Sequence, residues 1–67
     1  MLRIDEAINL VNKIITRSEG TENLDECFHL RALAAFMIRE ITTELNDRPY
    51  RRKSDDIAVE DLLNRLI

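Results

Sequence analysis

The stretch LRALAAFMI, residues 30–38, decides how this chain folds. It continues from Phe28 and His29, and from Phe28 to Ile38 only His29 and Arg31 are polar. A helix this apolar around its circumference needs cover on more than one side. The question is what a chain of 67 residues can offer as cover.

Working outward, the stretch belongs to a helix expected over about residues 23–46. Asn23 followed by Glu26 makes a variant of the capping box. Asp25 and Glu26 in the first turn suit the positive end of the helix dipole. One apolar stripe runs its full length: Cys27, Leu30, Ala34, Ile38, Ile41 and Leu45, with Met37 beside it. A second apolar surface, Phe28, Ala32, Leu33, Ala35 and Phe36, occupies the other side of the first half only. After Arg39 that side becomes charged.

Before this helix, Ile4, Ala7, Ile8, Val11, Ile14 and Ile15 recur at i, i+3, i+4 and i+7. At ~100° per residue they fill a stripe roughly 120° wide, so a one-faced helix is expected over about residues 3–18. Gly20 reads as the residue just past its C-terminus. Beyond the central helix, Pro49 biases Arg48 away from helical backbone, and NDRPYRRKSDD reads as a polar connection. A short third helix is expected from 56 or 58 to 66, with Val59, Leu62, Leu63 and Leu66 as its stripe. Asp55 or Asp56 caps it in the preferred reading. In the other, Ile57 and Leu62 staple a cap at Ala58, with Asp61 at the N3 position.

The expected fold is therefore all-α: one domain over residues 1–67, an antiparallel helical hairpin plus a short third helix. A chain this short buries a modest share of its surface and generally needs disulfides, a metal or oligomerisation. Cys27 is the one cysteine, which excludes an internal disulfide and suits a reducing, cytoplasmic setting. No apolar run approaches ~18 residues, so no membrane span is expected. The N-terminus has no signal-peptide layout, and the initial Met with an apolar helical end suggests a complete small gene product.

Neither the first nor the third helix reaches Phe28, Ala32, Leu33, Ala35 and Phe36. Left open, they would form an apolar patch of roughly a few hundred Å², the size that marks an interaction site. Ala32 and Ala35 sit between the bulky residues and allow another helix to come close. These five residues are therefore expected to form a homodimer interface, helix crossing helix, in a six-helix bundle. Two alternatives stand beside it: a monomeric three-helix bundle wrapped on both sides, or a face reserved for a foreign protein.

Catalytic chemistry is not expected. Cys27 and His29 lie two residues apart on a helix and point to nearly opposite sides. They can neither share a metal nor act as nucleophile and base. The acid pairs Asp5/Glu6, Asp25/Glu26, Asp55/Asp56 and Glu60/Asp61 all fall near helix starts, where they complement the dipole. There is no phosphate-binding loop and no nucleophile motif. Neither metal nor cofactor is expected.

The cluster Arg48, Tyr50, Arg51, Arg52 and Lys53 is the most polarised local feature, flanked by Asp47 and by Asp55 and Asp56. Its ordinary reading is a solvated connector with self-neutralising charges; its functional reading is a docking site for an acidic protein surface. Nucleic-acid contact through the same loop is disfavoured by the net charge of −3. A helix-turn-helix is disfavoured too, because that motif needs a turn of about three or four residues. The function expected is a small non-enzymatic regulator that binds a larger protein as inhibitor, adaptor or anti-activator. The alternative is a nucleic-acid-associated regulator using residues 48–53.

Overall fold

The structure, a computed structural model, describes residues 3–67. Three helices make up the chain in order: α1 (Ile4–Gly20), α2 (Leu24–Asn46) and α3 (Lys53–Leu66). No strand occurs among the described residues. The all-α hairpin with a third helix is the architecture observed.

The helix periods explain the packing. Ile4, Ala7, Val11 and Ile15 of α1 are buried against Ala34, Ile38, Ile41 and Leu45 of α2, and Val59 and Leu62 of α3 close the same cluster. Ile8, Ile14, Met37 and Leu66 seal its edges. The densest contact is between α1 and α2. Cys27 and Leu30 are only half-buried, so the seam loosens toward the start of α2.

The three-residue link 21–23 forces α2 to run antiparallel to α1. Asn23 stands in extended backbone as N-cap, and its side-chain oxygen accepts from the Glu26 N–H at 3.0 Å. Only half of the expected box forms. The Asn23 N–H turns to the Thr21 hydroxyl at 3.4 Å, and the Glu26 carboxylate pairs with Arg17 at 3.6 Å. The end of α1 also differs from expectation. Gly20 is the last helical residue rather than the one beyond it, and no described residue has positive φ. The turn is made by Thr21 in extended backbone, which leaves Gly20 no left-handed position to fill.

The second connection departs further. α3 starts at Lys53, earlier than 56 or 58, so the loop is only residues 47–52. Arg52 is the N-cap, in extended backbone and without a side-chain cap bond. Its carbonyl accepts the Asp55 and Asp56 N–H groups at 3.0 and 3.3 Å. Asp55 and Asp56 therefore lie inside the first turn and cap nothing, and Ile57 is half exposed instead of stapling a later start. The Arg52 guanidinium pairs with Asp55 at 3.4 Å and with Asp5 of α1 at 3.5 Å, linking the two helix starts.

At the other end of α3, Arg65 donates to Asn12, to the Thr16 hydroxyl at 3.0 Å and to the Glu19 carboxylate at 2.6 Å. Arg31 of α2 donates to the Leu66 carbonyl. α3 thus runs parallel to α1 and antiparallel to α2. The body measures 41 × 20 × 17 Å. Its long dimension is set by α2, whose 23 residues span about 35 Å.

Candidate functional site

With α1 and α3 both on one side of α2, its opposite side stays open. Phe28 is 68% exposed, Phe36 60% and Leu33 42%, and Ala32 and Ala35 are exposed between them. All five residues expected to form an interface lie outside the core of the single chain. Leu24, 72% exposed, extends the patch by one turn. The sequence reading missed Leu24 because it sits at the helix start, outside the LRALAAFMI stretch. The signal was present: residues 24, 28, 32 and 36 form one i, i+4 ridge. The other exposed apolar residues of the helices, Leu10, Ile57 and Leu63, lie on α1 and α3 away from that ridge. Scattered singles of this kind are ordinary.

Charges flank the two Phe residues. Asp25 precedes Phe28 and Arg39 follows Phe36 on the same face, by the helix period of about 100° per residue. Neither has an ion pair among the described residues, although Glu26 and Arg31 beside them are both engaged.

The basic cluster is largely spent on its neighbours. Arg51 donates through Nε and Nη2 to one Asp56 oxygen at 3.1 and 2.5 Å, and through Nη1 to the Asn46 side-chain oxygen at 2.6 Å. It thereby bridges the end of α2 to the start of α3. Arg52 is committed to Asp5 and Asp55. Arg48 and Lys53 carry no ion pair among the described residues, and Tyr50 stands 86% exposed between them. The usable part of the loop is therefore Arg48, Tyr50 and Lys53.

The structure does not bring the two candidate surfaces together. Ten residues separate Phe36 from the end of α2 and eighteen separate Phe28 from it, roughly 15 and 27 Å along the helix. The apolar face serves one end of the molecule and the basic loop the other.

Two shallow clefts lie among the described residues. One, of about 330 Å³, lies between α1 and α3 and is lined by Asp5, Ile8, Asn9, Ser54, Asp55 and Ala58. Both of its carboxylates are held by Arg52. The other, of about 280 Å³, is lined by Ala7, Met37, Glu40 and Ile41. Among the described residues no three of His, Cys, Asp or Glu gather as metal ligands would. Cys27 is half-buried and His29 exposed, on opposite sides of α2. No described helix is long and apolar enough to cross a membrane. Compared with known proteins, the chain matches no family model, no curated protein and no solved structure.

Proposed function

We propose that this chain is a small non-enzymatic interaction protein: a homodimer through the open face of α2 that acts by docking onto a larger protein as inhibitor, adaptor or anti-activator. The observation that carries the reading is the exposure of Phe28, Leu33 and Phe36 on one helix face, bracketed by unpaired charges. Burying one such side chain is worth ~1.5–3 kcal/mol. Three or four on each copy make association a large share of the stability of a domain this small.

The docking element is the loop at the far end. Tyr50 offers an aromatic face, and Arg48 and Lys53 offer unpaired charge, a combination that suits an acidic protein surface. Nucleic acid is the weaker candidate for the same loop, because Arg51 and Arg52 are already satisfied within the chain.

Two experiments test the reading. Ala35→Glu places a charged, bulkier side chain from each copy at the helix crossing and should reduce the particle mass to that of one chain with helicity retained. An unchanged mass would show that the face is wrongly assigned. Affinity capture from the native host, with wild type and with Tyr50→Ala plus Lys53→Ala as baits, tests the loop. A protein lost with the variant bait supports docking there, and an identical captured set contradicts it. Nucleic acid would reveal itself by binding that falls steeply with salt and is abolished by Arg48→Ala with Lys53→Ala.

A further inference from the structure

We infer that two copies of α2 pair antiparallel about a two-fold axis at Ala32, so that residue i of one chain faces residue 64 − i of the other. This rests on the homodimer reading above and adds its direction and register.

The open face is self-complementary about Ala32. Phe28 lies four residues before it and Phe36 four residues after. Asp25 lies seven before and Arg39 seven after. At about 100° per residue, Phe28 and Phe36 fall ~40° to either side of Ala32, and Asp25 and Arg39 ~20° to either side. The two-fold operation of a symmetric dimer brings the same patch of each copy together, so these relations become contacts. Phe28 of each chain then meets Phe36 of the other, Asp25 meets Arg39, and Ala32 meets its own copy on the axis. The small residue stands where the helices approach most closely. The two Phe pairs lie beside it, and the two ion pairs close the ends. The free charges at Asp25 and Arg39 gain partners.

Other arrangements lose these matches. A parallel pairing sets Asp25 against Asp25 and Arg39 against Arg39, like charges at both ends. Sliding the antiparallel pair by one turn in either direction takes Asp25 away from Arg39 and Phe28 away from Phe36. The matched register has the further consequence of sending the two basic loops to opposite ends of the dimer.

Cross-linking tests the register directly. In a Cys27→Ser background, Asp25→Cys chains mixed with Arg39→Cys chains should be joined by a short bismaleimide, whereas either variant alone should not self-link. Self-linking of both variants alone would overturn the antiparallel register. Charge reversal gives a second readout. Arg39→Asp should weaken the dimer, roughly five- to tenfold for two exposed ion pairs turned repulsive, and adding Asp25→Arg should restore it. Circular dichroism of each variant at the concentration used checks that the helices remain. A dimer indifferent to these reversals would also overturn the register while leaving the homodimer standing. A monomeric wild type would remove the homodimer itself, and the register with it.

Discussion

Ile41 and Phe36 lie five residues apart on one helix, one 1% exposed and the other 60%. Single side chains on α2 thus divide between the core and the open face. Ile41 belongs to the buried core cluster and lies beside Ala7 of α1. Ile41→Ala should lower the stability of the fold by ~2–5 kcal/mol, read as a large drop in the urea midpoint. Phe36→Ala should leave the helical signal of the dilute single chain nearly intact and weaken self-association instead. Asn23 is a smaller lever. Its side chain satisfies one N–H at the start of α2, so Asn23→Ala should cost about 1 kcal/mol in the same denaturation.

At the scale of elements, helix ends are where sequence and structure part. Gly20 is helical, its φ is not positive, and nothing lies within 4 Å of where a Cβ would sit. Its flexibility therefore serves nothing in the folded chain. Gly20→Ala should stabilise by ~0.4–1 kcal/mol, mostly by restricting the unfolded state. A destabilised Gly20→Ala would mean that the end of α1 is not helical in solution. The start of α3 carries the opposite expectation. Asp55 is 5% exposed and held by Arg52, so Arg52→Ala strands a buried carboxylate and should cost ~1–3 kcal/mol. Arg51→Ala, which breaks a more exposed pair, should cost under about 1 kcal/mol. The period of the apolar residues made all three helices legible, and the split of α2 into a covered and an open side was legible with them. The start of α3 was not, because Arg52 holds the N-cap position with no side-chain cap bond, so none of the usual cap residues marks it. The self-neutralising reading of the basic run was legible from the acids around it, but which of its cations pair, Arg51 and Arg52 rather than Arg48 and Lys53, was not.

For the whole molecule, an elongated body carries an apolar face toward one end and a basic loop at the other. In the dimer inferred here each loop lies about 15 residues of α2 from the axis. The two loops then sit roughly 45 Å apart. Spin labels on Tyr50→Cys, in a Cys27→Ser background, should report a distance near that value; one below about 25 Å would mean the loops sit side by side. A dimer with that spacing would present one basic loop at each end, as the proposed docking role requires. Everything in this picture depends on a second copy covering Phe28 and Phe36. Sedimentation equilibrium of the wild-type chain across the micromolar range tests that most directly. The account predicts a mass about twice the 7.9 kDa of one chain, falling toward it only on dilution. A mass of 7.9 kDa throughout that range would contradict it.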